Sequence, residues 1–188
     1  LLPGHAYRVY IRNTCQIGDD VDTANAVWID FMTESCSSVE DQNNYSSSEY
    51  LVGTSMTHSY TQSIYTRAEM PAVDTIYGVA FRTGSDVAQA LTFDLYIGNT
   101  SLAALSANAY VPLSNLTLMA SSYTVPTSAA GWHIIPFATP FVYDTNQNLV
   151  IATHNYSGVF YLNPISWRYH STGAIQTFQW NNFGAIDP

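Results

Sequence analysis

The chain contains no lysine, and its positive charge comes from 5 Lys+Arg residues, all arginine, set against 14 acidic residues. The formal net charge of −9 at pH 7 leaves no basic surface for phosphate backbones or anionic membranes. No apolar run reaches the ~20 residues of a membrane helix. We therefore expect no nucleic-acid partner and no membrane insertion. No signal peptide is recognisable, so for an exported protein we expect residue 1 to lie inside a longer chain.

The motifs of common catalytic centres are also missing. No serine lies in G-x-S-x-G, H-E-x-x-H does not occur, and no cysteine pair has the spacing of zinc ligands. A glycosidase needs two facing carboxylates, and Glu69 and Asp94 are the candidates flanked by strand-like sequence. Asp94 lies on the outer face of an alternating run, which is typical of a solvated side chain. We predict that the protein is not an enzyme.

The residues that are present favour an all-β protein. Tyrosine occurs 14 times, and short strand-like runs separated by polar turns follow one another from residue 50 to residue 180. This spacing predicts an antiparallel β-sandwich, with one or two helical turns at residues 102–109. The alternation is clearest at residues 91–97. The side chains that we expect to be largely buried are Phe93, Leu95, Ile97, Trp132, Ile135, Val150 and Ile151.

Residues 131–151 predict a strand, a proline-bounded corner, a second strand, a polar turn and a third strand. Pro136 and Pro140 cannot donate hydrogen bonds to a ladder, so we expect this segment to end strands or to run along a sheet edge. The apolar run Leu149-Val150-Ile151 predicts a strand that is buried on both faces.

This stretch also carries a family resemblance. Its pattern G-W-x-x-I-x-F-x-x-P-F-x-Y-D-x-x-x-N-L-V-I, with residues 62–65, 95–100 and 112–117, resembles a β-jelly-roll module of large surface and secreted proteins of Bacteroidetes-type bacteria. That module is similar to the cleaved-adhesin domains of the gingipain haemagglutinins. For residues 49–188 the resemblance implies a jelly roll, type IX secretion and a place outside the cell or on its surface.

The N-terminal residues resemble a different fold. Leu2-Pro3-Gly4-His5-Ala6-Tyr7 is similar to the corner before strand F of a fibronectin type III domain. Residues 1–35 therefore predict a partial fibronectin type III-like hairpin, with residues 7–12 paired with 27–33 and the Tyr7 ring packed at its base. Residues 36–48 read as a linker. A disulfide between Cys15 and Cys36 suits a secreted protein, but a regular hairpin would not bring them opposite each other.

One loop has the composition of a calcium site. Asp144, Asn146 and Asn148 present side-chain oxygens at alternate positions, which is a spacing that can surround a hard cation. The simpler interpretation is a hairpin turn. Resemblance to the gingipain adhesin modules implies a calcium site but does not identify the residues that bind the ion. A weaker candidate is the loop with Asp19, Asp20 and Asp22.

Aromatic residues suggest a second ligand class. Trp167 and Tyr169 share one strand face, and Trp180 shares another with Phe178, so Trp167, Tyr169 and Trp180 are candidate glycan-binding residues. Core packing is the alternative explanation for each. Thr23 and Thr75 lie in sequences that resemble the O-glycosylation sites of Bacteroidetes-type exported proteins.

These observations lead to one expectation about function. We expect a non-catalytic extracellular module of a large bacterial surface or secreted protein, which acts in adhesion or as a structural or spacer unit. Its partners would be neighbouring domains or subunits, and glycans or host proteins. The alternative is a carbohydrate-binding accessory module of a secreted hydrolase.

Overall fold

Alternation of apolar and polar side chains produces strands throughout the described chain. The computed structural model describes residues 6–11, 16–17, 20–21, 27–32, 46–70, 74–169 and 174–185, the first four ranges as strand backbones. The strands are β1 Ala6–Ile11, β2 Gln16–Ile17, β3 Asp20–Val21, β4 Val27–Met32, β5 Ser46–Ser48, β6 His58–Tyr65, β7 Thr75–Arg82, β8 Leu91–Thr100, β9 Thr117–Val125, β10 Trp132–Val142, β11 Asn148–Asn155, β12 Trp167–Tyr169 and β13 Thr177–Asn182. One turn of 3₁₀ helix, Leu113–Asn115, precedes β9.

The chain divides into the units Leu1–Gln42 and Asn43–Pro188. In the first unit β1 pairs antiparallel with β4, from Ala6 opposite Met32 to Ile11 opposite Val27, and β2 pairs with β3. The predicted pairing of the N-terminal hairpin is therefore confirmed, whereas its likeness to fibronectin type III stays a prediction. The Tyr7 ring, both cysteines, Thr23, Asp19, Asp22 and the side chain of Asp20 lie outside the described residues.

Antiparallel sheets packed against each other form the second unit, which confirms the predicted β-sandwich. One sheet has the strand order β13-β6-β11-β8-β9. The pairs β12-β5 and β10-β7 build the facing layer, where an antiparallel bridge between Thr83 and Trp167 joins β12 to the end of β7. The resulting order is β5-β12-β7-β10, so β10 lies at an edge, as its prolines predicted.

Side chains from both layers fill the space between the sheets. Phe93, Leu95 and Ile97 of β8 point inward and meet Ile135 of β10 and Trp167 of β12 in one buried cluster. The register of β10 on β7 shifts between Pro136 and Phe141, which is where the sequence predicted a corner.

A second, smaller cluster lies on the outer face of the five-stranded sheet. Val150 of β11 and Ile64 of β6 are buried there beneath Leu105 and Val111 of the segment 101–116. The run at residues 149–151 is therefore buried on both faces, as predicted. Gly98 lets the segment 101–116 pack closely on the sheet, because a Cβ at this position would lie 2.6 Å from the Leu116 side chain.

Three predictions about the fold of the second unit are wrong. Trp132 is exposed, because it shares the outward parity of Ile134 while Ile135 points inward. Residues 102–109 form no helix, since Leu105 is held by the backbone bond of its N–H to the Ile175 carbonyl and by its burial. The predicted linker ends too late, because β5 pairs with β12 and the unit begins at Asn43.

The parity of β10 gives a direct test of the sandwich. Ile135 is 1% exposed and Ile134 is 68% exposed. We expect Ile135→Ala to lower the free energy of unfolding by about 2–5 kcal/mol, because it leaves a cavity between the sheets. Its neighbour supplies the control, as Ile134→Ala should change the value by about 0.5 kcal/mol or less. Urea denaturation measures both, and equal losses would contradict this register.

Candidate functional site

The outer face of the five-stranded sheet carries a row of side chains from four adjacent strands. Trp180 of β13 lies opposite Tyr60 of β6, which in turn lies opposite His154 of β11. His154 is also the cross-strand neighbour of Asp94 in β8. Because Phe93 of β8 points into the core, the row points away from it.

Aromatic rings contact one another along this row. The Trp180 ring centroid lies 5.3 Å from that of Tyr110 and 5.7 Å from that of Tyr60. His154 continues the series, 5.9 Å from Tyr60 and 5.3 Å from Tyr156. Such separations are favourable for ring contacts. With Phe178, which is 4.5 Å from Trp180, these residues form the aromatic band: Tyr60, Tyr110, His154, Tyr156, Phe178 and Trp180.

Exposure differs along the aromatic band. Tyr110 is 41% exposed and Tyr156 is 44% exposed, whereas Tyr60 between them is buried. Trp180 and His154 are partly exposed. The surface therefore offers two accessible phenol rings, one at each side of a buried centre.

Asp94 lies at the β8 end of the row and is 8% exposed, so the expectation of a solvated side chain is wrong. Its Oδ1 accepts hydrogen bonds from the Ser122 backbone N–H (2.6 Å) and from the Tyr156 hydroxyl (3.1 Å). Its Oδ2 accepts a bond from the Tyr96 hydroxyl at 3.3 Å. Burial of a carboxylate is tolerated when donors satisfy it in this way.

The β-bulge opposite Asp94 explains its bond to Ser122. The register of β8 on β9 shifts on both sides of Leu95, and Ser122 has a φ of 49°. A bulge leaves a backbone N–H without a ladder partner, and the Asp94 carboxylate accepts this one. A non-glycine residue in the left-handed region is uncommon and is found more often at functional positions.

Burial controls the protonation of the row. It raises the pKa of Tyr60 to about 12, despite a hydrogen bond from Gln62 that lowers it. Burial also lowers the pKa of His154, against the nearby Asp94 carboxylate, and His58 adds to the lowering. His154 is therefore neutral at pH 7. Its Nε2 is buried and has no hydrogen-bond partner among the described residues.

A buried glutamine places Tyr110 beside Trp180. Gln62 Nε2 donates to the Val111 carbonyl and to the Tyr60 hydroxyl, and Gln62 Oε1 accepts the Val111 N–H at 3.0 Å. All polar atoms of this side chain therefore take part in bonds that hold the segment 101–116 on the sheet. Tyr110 precedes Val111, so the same contacts position its backbone.

The three predicted glycan-binding residues do not come together. Trp180 belongs to the aromatic band. Trp167 is 3% exposed and packs in the core, so its ring has no face for a sugar, and that assignment is wrong. Tyr169 lies in the other layer, where its ring centroid is 5.0 Å from that of Tyr50.

The loop predicted to bind calcium forms a hydrogen-bonded turn. Asp144 Oδ1 accepts bonds from the backbone N–H and side-chain amide of Asn146, and its Oδ2 accepts one from Gln147. The Asn146 backbone bond is the main cause that lowers the Asp144 pKa. Asn148 Oδ1 accepts the backbone N–H of Arg67. These contacts account for the residues as a turn, and calcium binding stays a prediction.

Two further candidates lie away from the row. Glu69 accepts bonds from the Thr66 N–H and from Gln176, beyond the opposite end of β6. Thr75 begins β7 in the other layer, is partly exposed and donates its hydroxyl to Asp74 at 3.0 Å. O-glycosylation of Thr75 stays a prediction.

Sequence reasoning missed most of the aromatic band. Tyr60, His154 and Tyr156 gave no motif, and Tyr110 directly follows residues 102–109, where helical turns were predicted. One signal was present, because the alternation of residues 91–97 already placed Asp94 on the outer face. The sequence did not show which strands would lie beside β8.

Comparison with known proteins adds no relative. No family model matches the chain, and neither the curated proteins nor the solved structures contain a significant match. Within the described residues, no cluster of three or more His, Cys, Asp or Glu side chains could hold a metal ion. The same part of the chain has no helix of the length and hydropathy needed to cross a membrane.

The turn and the calcium site predict different melting behaviour. If calcium binds at Asp144, the melting temperature should fall when EDTA replaces calcium, because a ligand of the folded state stabilises it. Asp144→Ala should then abolish that difference, while Asp74→Ala, outside the loop, should retain it. A wild-type melting temperature that is indifferent to EDTA would leave the turn as the full account of these residues.

Protonation of His154 gives a prediction about pH. Since its pKa is lower in the folded chain than the usual value near 6.5, the unfolded chain takes up the proton first on acidification. The contribution of neutral His154 to the free energy of unfolding should be fully present above pH 6.5. Below pH 6.5 the free energy of unfolding should fall, by at most about 1.4 kcal/mol per pH unit for one histidine. Urea denaturation at pH 7.5, 6.5 and 5.5 should show a shallower fall for His154→Gln. An unchanged slope would contradict this role.

Proposed function

We propose that the unit Asn43–Pro188 is a non-catalytic binding module of an extracellular bacterial protein and that it acts in adhesion by binding glycans through the aromatic band. The observation that carries the proposal is the row of Trp180, Tyr60, His154 and Asp94 across one sheet face, flanked by the accessible rings of Tyr110 and Tyr156. Large exposed apolar surfaces rimmed by polar groups are typical of binding sites.

The chemistry of the band suits a sugar. A pyranose has an apolar C–H face that packs on aromatic rings, and it has hydroxyls that need hydrogen-bond partners at the edge. Tyr110 and Tyr156 offer the rings, while His58 and Asn182, on the same face at the end of β6 and β13, offer polar groups. A few polar groups that converge beside apolar walls are the usual pattern of a ligand site.

The arrangement of strands supports a jelly roll as the fold of the module. Counted from β5 as strand 1, the two layers have the orders 1-8-3-6 and 9-2-7-4-5. Strand 1 therefore pairs with 8, 2 with 7, 3 with 6 and 4 with 5, which is the pattern of a long antiparallel ribbon rolled up into two sheets. Type IX secretion and a place on the cell surface rest on the resemblance of residues 131–151.

The positions of the carboxylates favour binding over glycoside hydrolysis. Glu69 is bonded to Gln176, whose carbonyl accepts the Ile64 N–H. Tyr60 is level with Asp94, because both lie opposite or beside His154 in the ladder. Ile64 lies four residues from Tyr60 along β6, which places Glu69 about 13 Å from Asp94 along the strand direction. The two carboxyl groups of glycosidases are about 5–9.5 Å apart.

A structural role is the second candidate, and a different surface supports it. On the outer side of the β7–β10 layer, Trp132, Ile134 and Val142 are exposed, and Arg82 lies over the Trp132 ring at 5.9 Å. Exposed apolar residues of this kind are typical of a contact with a neighbouring domain or subunit. An accessory module of a secreted hydrolase would use the aromatic band in the same way as an adhesin. The two roles differ in the domains to which the module is attached.

Binding through the band is tested with its two accessible rings. On a glycan array, the wild-type chain should bind a set of glycans, and Tyr110→Ala and Tyr156→Ala should each weaken the best binder by about tenfold or more, as expected for an aromatic contact residue. Tyr77→Ala is the matched control, because Tyr77 is 71% exposed on β7 in the other layer and should leave binding unchanged. Equal affinity of all four proteins, or no glycan bound, would refute the proposal.

A further inference from the structure

We propose that the aromatic band selects by charge, so that it takes glycans without acidic groups and rejects those that carry a carboxylate or a sulfate. This inference rests on the proposed function and adds the chemical class of the ligand. It comes from two observations about the row, which are the carboxylate at its end and the positions of the cations.

The first observation is the carboxylate of Asp94. It lies beside His154 in the register, and its Oδ1 is bonded to the Tyr156 hydroxyl, so its charge is adjacent to an accessible ring of the band. Asp94 is more than nine-tenths buried, so the effective dielectric constant around its charge is lower than that of water. An anionic ligand on Tyr156 would therefore experience repulsion.

The second observation is that all three arginines of the unit lie elsewhere, and the unit has no lysine. The Arg67 backbone is bonded to Asn148, six residues along β11 from His154, which is about 20 Å. Arg82 and Arg168 belong to the facing layer, in β7 and β12. No arginine of the described unit can pair with an acid group on the band.

The titratable groups that face His154 come from three neighbouring strands. They are Asp94 and Tyr96 of β8, His58 and Tyr60 of β6, and Tyr156 at the end of β11. His154 is neutral because burial lowers its pKa, and Tyr60 and Tyr96 are protonated because burial raises theirs. Asp94 therefore gives the site its negative charge, and a cationic amino sugar would be accepted for the same reason that an acidic one is rejected.

The size of the effect follows from Coulomb's law. Two like charges about 6 Å apart, at an effective dielectric constant between about 20 and 80, weaken binding by about threefold to a hundredfold. The proposal therefore predicts a ratio of at least about threefold between the Kd of an acidic glycan and that of its neutral parent. Higher salt should reduce this ratio.

The experiment compares matched pairs at pH 7.5. Galactose-terminated oligosaccharides are titrated against their sialylated and sulfated derivatives, and glucose oligomers against glucuronate-containing ones, with the full chain. The acidic member should bind at least about threefold more weakly than its parent. Asp94→Asn keeps a side-chain oxygen as acceptor for the Ser122 N–H and the Tyr156 hydroxyl, while its amide nitrogen would donate to the Tyr96 hydroxyl. This variant should bring the ratio of the two Kd values close to one. Asp86→Asn removes the same charge from an exposed loop outside the site and should keep the ratio.

The outcomes separate this inference from the proposed function. If acidic glycans bind as tightly as their parents, and Tyr110→Ala and Tyr156→Ala weaken both, the band binds glycans and the charge selection is wrong. A ratio that Asp94→Asn does not change also overturns it. If Asp94→Asn does not fold, which its melting curve reports, the salt dependence of the wild-type ratio decides, and a ratio unchanged between 50 mM and 500 mM NaCl overturns the inference. Binding of a protein ligand without any glycan would overturn both proposals.

Discussion

Alternation of side chains along β8 is the constraint on which the larger unit depends. Leu91, Phe93, Leu95 and Ile97 lie between the sheets, so the even-numbered residues must lie outside. A slip of one residue would place the Asp94 carboxylate in the core and expose the apolar side chains, at a cost of several kcal/mol. The same alternation passes through the ladder to β11 and β6, and it therefore decides which side chains the outer face presents.

Buried polar groups then hold that outer face in one arrangement. Gln62 uses both ends of its amide to hold the segment 101–116, and Asp94 accepts the N–H that the bulge at Ser122 leaves unpaired. A buried polar group that lost its partner would cost about 1–3 kcal/mol, so these contacts favour a single geometry. Rings fixed in advance lose less conformational entropy when a ligand binds, and such preorganisation suits a binding surface.

The two layers of the sandwich present different outer surfaces. On the five-stranded sheet, a row of aromatic rings ends at the carboxylate of Asp94. On the facing layer, the guanidinium of Arg82 lies over Trp132, beside the exposed Ile134. Since the chain has no lysine and a net charge of −9, each arginine has a large effect on its surroundings. The positions of three arginines in the unit thus distinguish the two faces, as the proposals of a neutral-sugar site and of a protein contact require.

The sequence by itself determined the class of fold and the parity of single strands, because alternation is a local property that each strand carries. It predicted the inward face of β8, the burial of Leu149, Val150 and Ile151 on both faces, and the edge position of the strand with Pro136. Trp132 was misplaced because it and Ile135 lie three residues apart in one strand and therefore cannot both point inward. Only the tertiary structure decided the aromatic band, since it aligns residues 60, 94, 154 and 180 through ladder registers that depend on contacts between distant strands. The same contacts decided that Trp180 faces outward while Trp167, with an equally aromatic neighbourhood in sequence, fills the core.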